Sequence, residues 1–354
     1  MALQASGQIK YSEIIAEFGT PNSGGIGEYR LSENVGTLTN LPLDTGVPQS
    51  GQIKFSDFYS KRLNHVVDLY SIGNNTTRQN AKDRWNNGNV HIVGSSKTGK
   101  AQPPDTVEDR VIINVNARIA SAKGTQTHCA LRTGNWDTNT TLEIEIGSLG
   151  KLYGSGGDGG DGGAANETPG TDGKTGSSAL GIEYPCSINN LGVIQGGYGG
   201  GGGGGGNTRT TGGGKKSGAT TNGSSGGGGG GGAGLPAGNA GGVQTTSNND
   251  LSVGSGTAGS VGEAGKLSNV ALGGAAGSEA GEGGDSGGVN QSGGATFHQA
   301  ENGGIFLDSN GNQVSANGGL GGSNGFALIT NQSSLPSLTG NAIIGISTSS
   351  LSPT

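Results

Sequence analysis

Large apolar and aromatic side chains are scarce in this chain: 29% of its 354 residues are hydrophobic and 4% aromatic. The length suggests two or three domains, but so little apolar surface cannot give each a large core. Cysteine is nearly absent. Cys129 and Cys186 are too few for a disulfide framework and lack CxxC partners for zinc or redox chemistry, which leaves small buried or idle thiols. No run approaches the ~18 apolar residues of a membrane span, and Met1-Ala-Leu-Gln carries neither the basic nor the apolar region of a signal peptide. A soluble product of the cytoplasm is expected, without membrane insertion. An excess of positive charge is also missing. With net charge −6 and a pI near 5.2, the chain lacks the cationic footprint of a nucleic-acid binder.

What is present is glycine, 79 residues of 354, about 22% against the roughly 7% of average proteins. It is localised. Residues 1–150 hold 16 glycines and residues 151–354 the other 63, while charge divides as 14 Lys+Arg against 14 Asp+Glu in the first part and 6 against 12 in the second. The net negative charge therefore sits in the glycine-rich part.

An internal repeat opens the chain: Ser6-Gly-Gln-Ile-Lys-Tyr-Ser-Glu-Ile14 returns 44 residues later as Ser50-Gly-Gln-Ile-Lys-Phe-Ser-Asp-Phe58. Each copy reads as a turn, a short strand and a helix capped by Ser12 or Ser56. Residues 1–62 thus form a small α+β module whose core is too small to stand without a partner surface. Residues 63–150 carry period-two runs at 65–70, 90–93, 111–119 and 142–146, read as an antiparallel β-sandwich with Trp85 and Trp136 in its core or rim and a short helical crossing over 78–85.

From residue 151 onward the pattern changes. Leu149-Gly-Lys-Leu-Tyr-Gly-Ser-Gly-Gly157 aligns with Leu191-Gly-Val-Ile-Gln-Gly-Gly-Tyr-Gly199, 42 residues on, and each copy is a short apolar strand running into glycine. Three Gly-Gly-X triplets follow over 156–164, then glycine runs at 199–206 and 226–232, and a substituted period of three over 274–287. A flexible linker has no reason to keep period three. A polyproline-II-like helix has three residues per turn and no internal hydrogen bonds, so two bare edges per turn allow close neighbours on both sides, with Asp158, Asp161 and Ala164 facing outward. The expectation for 151–354 is a bundle of packed polyglycine II helices with a hydrogen-bonded core.

The segments between glycine runs are rich in Ser, Thr and Asn, the layout of a recognition surface on a rigid scaffold rather than of a reaction centre. GxGxxG-like matches are expected by chance here, and Gly173-Lys174-Thr175 has Thr168 where a phosphate-binding loop needs glycine. The Gly-Gly-Asp triplets begin like a calcium repeat, but Gly163 stands where a bulky aliphatic residue belongs. His65, His91, His128 and His298 have no ligand spacing, and His128-Cys129 has no carboxylate beside it. Neither enzyme chemistry, nor a metal, nor a cofactor is expected.

The two SGQIK(Y/F)S(E/D) copies, the second followed by Tyr59-Ser-Lys61, resemble N-terminal segments of tailed-bacteriophage virion proteins. Asn324-Gly-Phe-Ala-Leu-Ile329 and Thr339-Gly-Asn-Ala-Ile-Ile-Gly345 look like the end of glycine-rich phage tail proteins, and the glycine-rich half is similar to receptor-recognising fibre-tip adhesins of T-even-like phages. The resemblance implies glycine helices packed as a sandwich, an N-terminal part that docks on other tail or fibre proteins, and distal loops that bind a host surface glycan or outer-membrane protein. Such a protein is made in the host cytoplasm and resides in the virion, where a homo-oligomer is compatible with the reading. On that basis the receptor-facing candidates are Tyr198, Asn207, Thr208, Arg209, Thr210, Thr220, Asn222, Thr245, Thr246, Asn248, Asn249, Phe297 and His298. The attachment candidates are Ile9, Tyr11, Ile53, Phe55, Phe58 and Tyr59. The rival expectation is a structural baseplate, fibre-joint or capsid-decorating protein with the glycine bundle as spacer.

Overall fold

The computed structural model of the chain describes residues 3–101, 110–164, 169–211, 220–224, 226–243, 306–307, 313–314, 317–345 and 347–354. The N-terminal module contains helix α1 (Tyr11–Phe18), a 3-10 turn (Ile26–Tyr29), the hairpin β1 (Ser32–Val35) and β2 (Leu38–Pro42), and a second 3-10 turn (Phe55–Phe58). The repeat starts its helices two residues earlier than the serines suggest. Lys10 and Lys54 occupy the N-caps because Glu13 and Asp57 accept their backbone N–H at 2.8 and 2.7 Å, so Ser12 and Ser56 fall inside the first turn.

The next strands are β3 (Asn64–Leu69), β4 (Thr76–Thr77), β5 (Gln79–Asn80), β6 (Val90–Ile92), β7 (Arg110–Val115), β8 (Arg118–Ala120), β9 (Cys129–Arg132), β10 (Thr141–Ile146), β11 (Lys151–Tyr153), β12 (Ser178–Ile182), β13 (Cys186–Asn190) and β14 (Val193–Gln195). Helix α2 (Ala81–Asn86), overlapping the expected 78–85 crossing whose start is instead β5, and the short α3 (Ser95–Thr98) flank β6. Two hairpins follow, β15 (Asn207–Thr211) with β16 (Thr220–Ser224) and β17 (Phe306–Leu307) with β18 (Gln313–Val314), before β19 (Leu328–Thr330), β20 (Ser337–Gly340) and β21 (Ser347–Thr348).

Here the expected antiparallel sandwich is corrected: apart from β6 on β3, all pairing in the three larger sheets is parallel. The orders are β20-β13-β10-β7-β3-β6 in the first sheet, β14-β11-β8-β4 in the second and β21-β19-β12-β9-β5 in the third. Chain order therefore visits the sheets in rotation. Successive rungs are β3/β4/β5, β7/β8/β9, β10/β11/β12, β13/β14/β19 and a fifth of β20, Ile344 (bridged to Gln195) and β21. The result is a three-sided parallel prism. Short corners carry the chain to a different sheet, so they resemble hairpin turns in sequence without reversing the pairing. Val111 to Ile119 is such a case, split at Asn116-Ala117 into β7 and β8.

Alternation sorts the side chains. Val67 and Ile113 point into the prism, where they join Ile119, Leu152 and Ile194 of the second sheet and Leu131, Leu180 and Leu328 of the third. Trp85 and Trp136 meet edge to face at 5.5 Å in the same core. Val66 and Ile112 point outward and are covered by the N-terminal module, whose Ile14, Phe18, Tyr29, Leu43 and Phe58 are fully buried. The partner surface that module requires is thus the first sheet of its own chain.

Between the second and third sheets the corner grows from rung to rung. It is Arg78 alone in the first, 121–128 in the second, 154–177 in the third and 196–327 in the fourth. The described parts of the last two excursions form six glycine-rich segments, 154–163, 170–177, 196–206, 226–234, 236–243 and 317–325. Hydrogen bonds between them advance three residues at a time. Gly157, Gly160 and Gly163 donate to Tyr198, Gly201 and Gly204; Gly156, Gly159 and Gly162 donate to Pro236, Asn239 and Gly242. Likewise Gly226, Gly229 and Gly232 donate to Gly163, Gly160 and Gly157, and Gly319, Gly322 and Gly325 to Gly203, Gly200 and Gly197. No described glycine from 135 to 339 lies in the left-handed region. Glycine is required there for its missing Cβ: one built at Gly200 stands 2.1 Å from the Asp158 carbonyl oxygen, at Gly160 2.0 Å from that of Thr171.

Candidate functional site

The hydrogen bonds place the segment ends. At one end lie Gly154, Ser177, Gly197 and Gly325, beside the prism, where Gly154 donates to Gln195 and Leu235 to Gly154, both at 2.8 Å. At the other end lie Gly163, Gly204, Gly226, Gly242, Gly170 and Asn317, joined by Gly163 to Gly204 (2.7 Å), Gly226 to Gly163 (2.9 Å), Gly162 to Gly242 (2.9 Å) and Gly170 to Asn317 (3.0 Å). Every connection made away from the prism therefore leaves from this same end: 164–169, 207–225 and 244–316. The corner from which the lattice grows faces the first sheet across the triangle, so the N-terminal module and this end occupy opposite sides of the prism.

Of the receptor candidates, Asn207, Thr208, Arg209 and Thr210 lie in β15 and Thr220 and Asn222 in β16, with Arg209 paired to Asn222 and Thr208 to Gly223. Every residue of the two strands except Gly223 has a polar side chain. β15 lies against β17, so both hairpins share this end. Sequence reasoning misses the second hairpin, although Asn310-Gly311 between Phe306-Leu307 and Gln313-Val314 is a two-strand signal. Thr245, Thr246, Asn248, Asn249, Phe297 and His298, like the 274–287 period, lie outside the described residues. Tyr198 is buried within the lattice, 7% exposed, and burial raises its pKa. Its ring packs inside the protein instead of standing free to stack on a receptor.

The attachment candidates also divide. Ile9 and Phe58 are buried in the module's own core, whereas Tyr11, Ile53 and Tyr59 are half-buried and Phe55 is exposed, edge to face with Tyr11 at 6.4 Å.

Polar side chains finish the lattice. Asp161 and Asp172 accept the backbone N–H groups of Gly242 and Leu320, each at 2.7 Å. Asp158 takes that of Asn239 at 2.6 Å together with the Lys123 ammonium. These carboxylates are occupied by outer-layer amides. The loop 121–128 braces the prism end: Gln126 donates to the Asn324 carbonyl, Thr175 to that of Gly124 at 3.2 Å and Ser155 to that of Ala122 at 3.1 Å. Burial pushes the Cys129 and Cys186 thiols up to about 12, so neither is an activated nucleophile at neutral pH. Among the described residues no group of three His, Cys, Asp or Glu could hold a metal ion, and no helix is long and apolar enough to cross a membrane.

The family model of the phage tail fibre adhesin Gp38 matches residues 77–349. The chain belongs to that family. This phage tail fibre adhesin is thus a binding protein by class, and the match starts beyond the N-terminal module. A solved structure, the gp37-gp38 adhesin tip complex of the bacteriophage S16 long tail fibre, is similar at 17% identity and TM-score 0.37, covering 96% of this chain and 98% of that one. No curated protein sequence matches the chain.

Proposed function

We propose that this adhesin binds a host surface glycan or outer-membrane protein through the outer end of its glycine lattice, with residues 1–62 holding it to the fibre on the opposite side. The observation that carries the reading is the common departure of 164–169, 207–225 and 244–316 from the lattice end facing away from the N-terminal module. The three-residue hydrogen-bond step supports six polyglycine II helices, which at about 3.1 Å per residue hold the recognition end roughly 25 Å from the prism. Thr, Asn and Arg in β15 and β16 supply donors and acceptors suited to a polar, shallow contact. Tyr11, Ile53, Phe55 and Tyr59 remain available at the module surface for the fibre.

The test replaces 207–224 of the purified full chain with a short Gly/Ser connector and measures adsorption to susceptible cells alongside thermal unfolding. Loss of adsorption with an unchanged unfolding midpoint is expected. Unchanged adsorption would refute the hairpin's role, and failure of the intact chain to adsorb would favour a spacer.

A further inference from the structure

A charged cavity lies on the seam between the N-terminal module and the prism. Its volume is about 390 Å³, toward the lower end of the roughly 300–1,000 Å³ of ligand sites. Asn22, Gly27, Glu28, Arg30 and Leu31 of the module line it together with Lys97 of α3. The Arg30 guanidinium forms part of that wall. Its Nη2 donates to the Gly51 carbonyl, and its Nη1 lies over Gly27, 3.4 Å from where a Cβ would stand there. Among the described residues Nη1 has no acceptor, and Nε is buried without one. The exposed Lys97 ammonium is likewise bonded to nothing among the described residues. Glu28, the one carboxylate on the wall, accepts the Ser23 N–H at 3.0 Å. Two cations against one carboxylate leave the lining with a net positive charge.

We infer that this cavity receives a carboxylate of the fibre protein that carries the adhesin, an inference that rests on the module's proposed role in attachment. Donors left unpaired on a half-buried guanidinium are costly, and a carboxylate is their best acceptor because it can take two parallel N–H bonds. A single net positive charge matches a carboxylate rather than a doubly charged phosphate. Two hydrogen bonds tie the cavity to the surface proposed for the fibre. Arg30 holds Gly51, two residues before Ile53 in the second repeat. Tyr11 of the first repeat donates to the Gly24 carbonyl at 2.8 Å, in the turn where the Gly24 N–H donates to Pro21 at 3.0 Å. Both copies of the repeat therefore flank the cavity. Apolar contact by Tyr11, Ile53 and Phe55 has little directional preference, and a charged anchor beside it fixes the register of docking. One wall comes from the module and the other from α3, so a chain whose module is not seated on the prism lacks the anchor.

The experiment measures docking of the full chain to fibres purified without their adhesin, for the wild type, Lys97→Glu, Arg30→Gln and, as a probe of the apolar surface, Phe55→Ser. Lys97→Glu alters an exposed side chain and is expected to keep the wild-type melting temperature. It should weaken docking about tenfold or more, as the loss of a charge-assisted hydrogen bond does. Arg30→Gln should weaken docking at least as much. Exchanging chloride for acetate at constant ionic strength should weaken docking of the wild type, because acetate competes for the same donors, and should leave Lys97→Glu unchanged. Wild-type docking by Lys97→Glu and Arg30→Gln alongside weakened docking by Phe55→Ser would overturn the carboxylate anchor alone. Wild-type docking by all three would overturn the module's role in attachment as well. Acetate that acts no differently from chloride on the wild type would also overturn the inference.

Discussion

Substituting Gly200 by alanine tests the close approach of backbones on which the lattice depends. The new Cβ would stand 2.1 Å from the Asp158 carbonyl oxygen, against 3.4 Å for the start of ordinary contact, and the obstruction is backbone that cannot rotate away. The segments 154–163 and 196–206 must part by roughly 1 Å. Gly157 to Tyr198, Gly160 to Gly201 and Gly163 to Gly204 are bonded at 2.7–2.8 Å across that interface, and such a displacement takes them beyond hydrogen-bond length. Each lost bond costs about 1 kcal/mol net, or up to about 3 where a buried group is left unpaired. The three together cost about 3–9 kcal/mol, a large part of an ordinary domain's roughly 5–15 kcal/mol. The gain of about 0.4–1 kcal/mol from a stiffer unfolded chain does not offset it. Gly242→Ala is the control, because its Cβ would meet only the Asp161 carboxylate at 3.4 Å; it should cost less than about 1 kcal/mol. Denaturant unfolding of both variants decides the matter, and equal destabilisation would refute glycine's role as spacer between backbones.

Two more predictions concern the prism. Burial lowers the His65 pKa from 6.5 to about 4, and the Leu63 and Arg110 backbones approach the ring without acceptable hydrogen-bond geometry. Between those values the unfolded chain binds a proton that the folded chain does not, so stability should fall by about 3 kcal/mol as pH drops from 6.5 to 4; His65→Leu should flatten that part of the curve, and a wild-type curve already flat there would contradict the assignment. Leu152, fully buried in the second sheet, should cost about 2–5 kcal/mol as Leu152→Ala, read as a lower unfolding midpoint.

How much could be read beforehand follows from which physical constraint each residue meets. Gly156 to Ala164 spell out their packing because two faces of every turn must lack a Cβ, and composition records that directly. The 42-residue self-similarity was visible for the same reason that it matters, being the rung register that pairs Lys151 with Val193 and Tyr153 with Gln195. Strand direction left no comparable mark. Val111 to Val115 and Leu142 to Ile146 alternate equally well in parallel or antiparallel sheets, and their Asn/Gly/Thr-rich connections read as hairpin turns. Buried Tyr198, Ile9 and Phe58 show the limit for single residues: an aromatic beside glycine, or an aliphatic in a repeat, does not announce whether it packs inward or outward.

The prism and the lattice are one stacking register continued in two kinds of backbone. Ordering a residue costs about 1–2 kcal/mol of backbone entropy, and more for glycine, while each new hydrogen bond returns only about 1 kcal/mol net. A glycine lattice without an apolar core therefore gains from any constraint that fixes its segment ends before they pair. β11, β12, β14 and β19 supply four such ends, at Gly154, Ser177, Gly196 and Ala327, held in adjoining rungs of the second and third sheets. The alignment that pairs Tyr153 with Gln195 is thereby carried outward to Gly157 with Tyr198 and Gly160 with Gly201. The constraint is one of phase: removing a single residue from Gly196-Gly197 would bring Tyr198 to the position of Gly197, where a Cβ would stand 1.8 Å from the Ser155 carbonyl oxygen. Glycine runs beyond that point would tolerate the slip, since any of their residues can face any neighbour, so the fixed phase is enforced at the junction with the strands and the length of the runs outside it is free to differ.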